Sequence, residues 1–305
     1  MLLIQQIVNG LMLGSVYVTV AVAFTLTISI LNFLNFTIPT LFMVAGMVGW
    51  GLAFFGLPFG LGGPLPWPLA LAAGIAVAVA CSLIVERFTF RYMKMKHGDS
   101  TEHAIPLVSS LGFLLILENL VRISYGSDAQ RFPGPGADLT ANIGGIFVRV
   151  PQLVSFVLVI GLILGLVWVI NATRTGRGLR AIAENPDAAA LLGVEPNRVV
   201  PIVFMLTGML CGLAGALFAV NYGEVSPQMG EDIGSKAIAG MVVGGLGSLW
   251  GAVAGGVIVG LIEMLTIHFF GADTVQAAVW GALLITLLIR PQGLFGHNAI
   301  GKGKL

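Results

Sequence analysis

Long apolar runs alternate with short polar gaps along nearly the whole chain. About 20 consecutive apolar residues are what a helix needs to cross the hydrocarbon core of a bilayer. Runs of that kind stand at roughly 6–30, 37–57, 67–88, 105–123, 151–171, 199–221, 248–270 and 274–290, and a shorter piece at roughly 234–246 has the length of a half-helix. The pattern predicts an all-α, polytopic membrane bundle of eight or nine transmembrane segments with at least one short or broken helix, one domain over 1–305. A transmembrane β-barrel would instead alternate apolar and polar positions within segments of about ten residues.

Composition supports the same class. Hydrophobic residues make up 57% and charged residues 10% of the 305, with no Asp, Glu, Lys or Arg before Glu86. A water-soluble fold carries about 25% charge, and 85 uncharged residues could not coat one. The N-terminus lacks the basic region of a cleaved signal, so the first run reads as a retained span. A net charge of +1 gives no pull toward nucleic acid. Glycine, at 42 residues, is about twice as common as the usual 7%. Small residues let helix backbones approach closely in lipid.

Basic residues in short loops set orientation. Arg87, Arg91, Lys94 and Lys96 follow the third span, Arg174, Arg177, Arg180 and Arg198 lie between the fifth and sixth, and Arg290, Lys302 and Lys304 close the chain; together they are 11 of 15. All three segments are expected in the cytoplasm. Segment 124–150, with its Pro/Gly-rich FPGPGADLTANIGG, is then an external loop. If both 37–57 and 234–246 cross, the N-terminus is outside; if one is re-entrant, it is inside. We take the former.

The polar segment 172–198 stands apart. The piece GRGLRAIAE reads as a first short helix preceded by a flexible Gly176-Arg177-Gly178, and Arg174, Gly176, Arg180 and Glu184 of this stretch are candidate coupling residues. Asn185-Pro186-Asp187 starts a second: Asn185 caps, Pro186 suits the first helical position, and Asp187 favours the positive end of the dipole. Ala188 and Ala189 continue it, and Gly193 can close it in a left-handed conformation. The alternative is an ordinary loop over the end of the bundle.

Asp187-Ala188-Ala189 with Gly193 resembles the EAA-x3-G element of ABC importer permeases, although the I-x-L-P part of that element is absent. The longer RTGRGLRAIAENPDAAALLGV resembles the coupling segment of branched-chain amino acid permeases of the LivH-like group. VNGLMLGSVYVTVAVAFTLTISILNF, PQMGEDIGSKAIAGMVVGGLGSLWGAVAGGVIVGLIE and IRPQGLFG resemble further stretches of that family. The resemblance implies a multi-pass permease subunit in a bacterial or archaeal cytoplasmic (inner) membrane, with 172–198 as the cytoplasmic coupling helix and 124–150 as the periplasmic loop. It implies a second homologous permease, two cytoplasmic ABC ATPases that use the ATP, and a periplasmic substrate-binding protein. One departure is plain: where the family often reads Asn-Phe-Ala-His-Gly-Glu, this chain reads Asn35-Phe36-Thr37-Ile38-Pro39-Thr40. The solute is therefore left open among branched-chain amino acids and related small polar solutes such as amides, urea-like molecules and other amino acids.

Polar groups within the spans are candidates for the path or for structure. Asn32, Asn35 and Thr37 could satisfy a broken helix or meet solute. Glu118, next to Asn119, could pair with Arg122 one turn on or line the path. Gly244, Gly245 and Gly247 could break a helix at mid-membrane and expose its backbone. Gly251 with Gly255, and Gly256 with Gly260, are spaced for helix packing, within the chain or against a second permease; Glu263 is expected to be hydrogen-bonded within the structure. Glu224, Glu231, Asp232 and Lys236 read as a solvated external loop or a binding-protein dock.

Other chemistry is not expected. GHNAIGKG imitates a phosphate loop without its Ser/Thr, strand or helix. The four histidines have no metal-ligand spacing. Cys81 and Cys211 read as packing residues, and no nucleophile motif is present. A stand-alone transporter of inverted-repeat type is the alternative function; it calls for a buried ion-coupling carboxylate cluster.

Overall fold

The computed structural model describes residues 2–31, 33–56, 63–92, 104–132, 140–143 and 146–296. Asn32, Lys94, Lys96, three of the four histidines, residues 133–139 of the Pro/Gly-rich stretch and the tail with Lys302 and Lys304 lie outside them.

Eleven α-helices account for the described fold: α1 (Leu2–Leu31), α2 (Thr37–Phe54), α3 (Trp67–Val85), α4 (Ala104–Tyr125), α5 (Val150–Ala172), α6 (Arg174–Glu184), α7 (Pro186–Leu191), α8 (Pro196–Tyr222), α9 (Met229–Gly244), α10 (Leu249–Phe270) and α11 (Val275–Ile289). Eight are long and apolar enough to cross a membrane. Helix α3 runs on as π-helical turns over Glu86–Tyr92, so the third span is longer than its apolar run. The half-helix begins at Met229, five residues before its apolar stretch, because its first turns carry Glu231, Asp232 and Lys236.

Four short strands join the helices. β1 (Gln130–Arg131) pairs with β4 (Glu224–Val225), and β2 (Thr140–Ile143) forms a hairpin with β3 (Ile146–Arg149). Hairpin residue Phe147 exchanges two hydrogen bonds with the Gln5 side chain at the start of α1. The far end of α1 packs Leu26 and Ile30 against Leu179, Ile182 and Ala189 of α6 and α7. The α6–α7 elbow and the hairpin thus occupy opposite ends of the bundle. The N-terminus lies at the hairpin end, and residues 290–296 lie at the elbow end, against the close of α9.

Helix α1 is the axis of the bundle. From Leu13 to Leu26 it is buried on every side, as expected of an uncharged, all-round apolar helix. Two of its buried hydroxyls are satisfied locally: Thr19 donates to the Ser15 carbonyl and Thr27 to that of Ala23, an arrangement a helix interior tolerates. Two glycine ladders set the closest contacts. A β-carbon at Gly260 would stand 2.4 Å from the Gly14 Cα, and one at Gly256 2.7 Å from the Val18 amide nitrogen. On the other side of α10, one at Gly255 would stand 1.9 Å from the Gly240 carbonyl oxygen, and one at Gly251 2.5 Å from that of Gly244. Helix α10 is therefore wedged between α1 and α9 at backbone contact. Lipid gives apolar side chains little reason to associate, so close backbone packing supplies dispersion contact instead.

Candidate functional site

The elbow is built by local caps. Thr173 Oγ1 accepts from the Gly176 amide at 3.0 Å and donates to the Val169 carbonyl at 2.6 Å, ending α5 and starting α6 in one side chain. Gly176 and Gly178 are not a flexible lead-in but lie inside α6, which starts at Arg174; Gly176 is obligatory because a β-carbon would stand 2.2 Å from the Ile170 carbonyl oxygen. Helix α6 is amphipathic, with Leu179 and Ile182 buried and Arg174, Arg177, Arg180 and Glu184 outward. Arg180 donates to Asn171 Oδ1 at 3.0 Å. Asn185 Oδ1 accepts from the Ala188 amide at 3.0 Å, capping α7. Gly193, at φ +87°, reverses the chain, and the Val194 amide returns to the Ala189 carbonyl. The side chains of Pro186 and Asp187 lie outside the described residues.

Docked through Leu179, Ile182 and Ala189, the elbow leaves Leu191 and Leu192 at 90% and 84% exposure. Beside them a 510 Å³ cleft between α6 and the start of α8 is lined by Arg174, Arg177, Glu195 and Arg198. A smaller, 180 Å³ cavity under the elbow is shared by Thr25, Ser29, Arg180 and Gly247. The elbow, the end of α1 and the α9–α10 connection therefore meet at one joint.

That connection is the glycine break. Gly245 and Gly247 have φ of +117° and +83°, a conformation that favours glycine. It lies at the elbow end rather than at mid-bundle. The backbone carbonyls of Val243 and Gly244 accept from the Leu294 and Phe295 amides, and that of Gly247 from Ser29 Oγ. The closing segment of the chain thus caps α9.

The remaining polar candidates do not converge. Glu118 pairs with Arg122 one turn on. Asn119 donates to its own helix, at Leu115, on an exposed face. Asn35 is 1% exposed; its Oδ1 takes both the amide and the hydroxyl of Thr37, opening α2, and its Nδ2 is buried without a hydrogen-bond partner.

The polar centre of the bundle departs from the expectation of a solvated loop. Lys236 is no loop residue: it lies halfway along α9, and its Nζ is 2.6 Å from Glu263 Oε1 on α10. The other carboxylate oxygen accepts from the Tyr17 hydroxyl, halfway along α1. Glu224 belongs to β4, while Glu231 and Asp232 form the exposed first turn of α9. Burial forces the pairing, because a lone charge at this depth costs several kcal/mol. Spacing gave no hint of it, since Lys236 and Glu263 are on different helices. No group of three or more His, Cys, Asp and Glu able to hold a metal occurs among the described residues.

The sequence profile of the family described as "Branched-chain amino acid transport system / permease component" matches residues 6–288. The chain belongs to this family. It is similar to the high-affinity branched-chain amino acid transport system permease protein BraD of Pseudomonas aeruginosa, at 31% identity over 98% of this chain and 97% of the relative. LivH of Escherichia coli K12 is 29% identical over the same shares of the two chains. The fructose import permease protein FrcC of Rhizobium meliloti is 30% identical over 73% of this permease and 61% of the relative. Membership fits the eight described helices that are long and apolar enough to cross a membrane: this permease is a multi-pass membrane protein.

Proposed function

We propose that this chain is one permease subunit of an ABC importer for branched-chain amino acids or related small polar solutes. The observation that carries the reading is the α6–α7 elbow. Its inner face is fixed to α1 and α8 by Leu179, Ile182, Ala189 and Val203, while Leu191, Leu192 and a rim of arginines are left facing water. An exposed leucine pair with a charged rim has the make-up of a protein dock. The dock faces the cytoplasm and receives an ABC ATPase. A second, homologous permease completes the path, and a binding protein delivers solute at the hairpin end. ATP is bound and used by the ATPases; this chain acts through the elbow joint on α1, α9 and α10. Conformations shift only by the differential affinity of nucleotide-driven ATPase and solute for each state.

The alternative of a stand-alone transporter finds no support, since the relatives carry the names of permease proteins of a transport system or of import. The test uses the tagged, full-length permease purified from its own host's membranes in mild detergent. An ABC ATPase co-purifies. The double substitution Leu191→Asp/Leu192→Asp loses it, and Arg180→Glu weakens it, with unchanged yield of permease. Solute uptake by this chain alone in proteoliposomes, or full ATPase capture by the leucine variant, overturns the reading.

A further inference from the structure

Helix α5 closes at Ala172 and α8 opens at Pro196, and both are long and apolar enough to cross a membrane. The 510 Å³ cleft between α6 and the start of α8 therefore lies where two spans end, at the depth of lipid headgroups. Trp168, one turn before the end of α5 and 65% exposed, is an aromatic of the kind that settles at that level.

Three guanidiniums and one carboxylate line the cleft: Arg174, Arg177, Arg198 and Glu195. Glu195 pairs with Arg198. Among the described residues, the side chains of Arg174 and Arg177 have neither an ion pair nor a hydrogen bond. Three positive charges against one negative leave an excess that an anion would relieve. A guanidinium is shaped to hold a phosphate through two parallel hydrogen bonds.

The floor of the cleft is apolar, with Val194, Val199 and Ile202. Beyond Ile202 the same face of α8 carries on with Met205 and Met209, 44% and 49% exposed. Steps of three and four residues keep these three on one stripe, which runs from the cleft toward the middle of the span. An acidic protein segment arriving from water would use the arginines but not the stripe. An amphiphile with an anionic head uses both.

The geometry points to a phospholipid site. The phosphate of an anionic lipid sits among Arg174, Arg177 and Arg198, and one acyl chain lies along Ile202, Met205 and Met209. By bridging α6 to α8, the phosphate ties the elbow to the bundle at a place separate from Leu179, Ile182 and Ala189. The site asks only that the chain span a membrane, and it holds whether or not an ATPase docks.

The test is native mass spectrometry of the full-length permease, purified in mild detergent and titrated with dioleoyl phosphatidylglycerol or dioleoyl phosphatidylcholine. Phosphatidylglycerol binds its first site at least about tenfold tighter than phosphatidylcholine. Arg174→Gln combined with Arg177→Gln weakens phosphatidylglycerol about thirtyfold, about fivefold for each charge lost at a membrane surface. Arg174→Lys combined with Arg177→Lys keeps the charge, stays within about threefold, and guards against misfolding being read as lost charge. Arg149→Gln, at the hairpin end, shifts binding less than about twofold. Equal binding of the two lipids, or undiminished phosphatidylglycerol affinity in the glutamine variant, overturns the site. Displacement of the lipid by equimolar glycerol 1-phosphate also overturns it, by showing a site for soluble anions. So does a glutamine variant that keeps the lipid and loses the ATPase, since the guanidiniums would then belong to the dock. A chain that binds the lipid yet captures no ATPase loses only the importer reading.

Discussion

One glycine and one ion pair carry much of the local architecture, and each makes a measurable claim. Gly176 sits where α5 turns into α6, and any β-carbon would collide with the Ile170 carbonyl. Gly176→Ala should destabilise by about 1–3 kcal/mol, the range for overpacking. The check is a lower thermal midpoint in detergent, together with loss of ATPase capture. Lys236 and Glu263 are the second case. Removing one partner of a buried pair leaves an uncompensated charge and costs about 3–5 kcal/mol. Lys236→Met should therefore lower stability more than Lys236→Met combined with Glu263→Gln. A double-mutant cycle of thermal midpoints reads this as a positive coupling; equal additive losses would deny the pair its role. All three residues are visible in sequence, but only as a glycine in a polar segment and as a lysine and a glutamate among apolar neighbours. Their consequences depend on what stands opposite.

At the scale of elements, the elbow and the glycine ladders behave differently. The elbow was legible because its signals are local: a cap at Asn185, a proline at the first helical position and a closing glycine lie within nine residues. Removing the cap with Asn185→Ala should cost about 1 kcal/mol, fray α7, and reduce nucleotide-stimulated transport more than it reduces the thermal midpoint of the whole chain. The ladders were legible only as spacing. Gly251, Gly255, Gly256 and Gly260 could have packed within the chain or against a second permease, and the structure turns the first two toward α9 and the last two toward α1. Gly255→Ala must part α9 from α10 and should destabilise by about 1–3 kcal/mol. Gly161→Ala on α5, with nothing within 4 Å of the added carbon, should be neutral or stabilising by about 0.5–1 kcal/mol. Parallel melts of the two variants decide whether contact, rather than glycine content, holds the bundle.

For the whole molecule the consequence is topological. The N-terminus bonds the β2–β3 hairpin at one end, and the elbow and residues 290–296 gather at the other. Eight long helices give an even count; α9, too short to qualify alone, runs from β4 at the hairpin end to the elbow end and makes the count odd. Cysteines placed at Thr140 and at Leu191 should label from opposite faces of sealed vesicles, Thr140 from outside and Leu191 from the cytoplasmic side. Labelling of both from one side would reject this arrangement.

The membrane class, the span boundaries to within a few residues and the caps of α7 can all be had from residue order alone. They rest on length, hydropathy and short-range hydrogen bonds, and these are properties of neighbouring residues. The pairing of Lys236 with Glu263 and Tyr17, the seat of α10 between α1 and α9, and the capping of α9 by residues 294 and 295 emerged only from the folded arrangement. Each joins groups far apart in the chain, and an apolar helix with no polar face carries no record of which side will meet which neighbour. In lipid that choice falls to backbone shape and to the few charges that must find a partner.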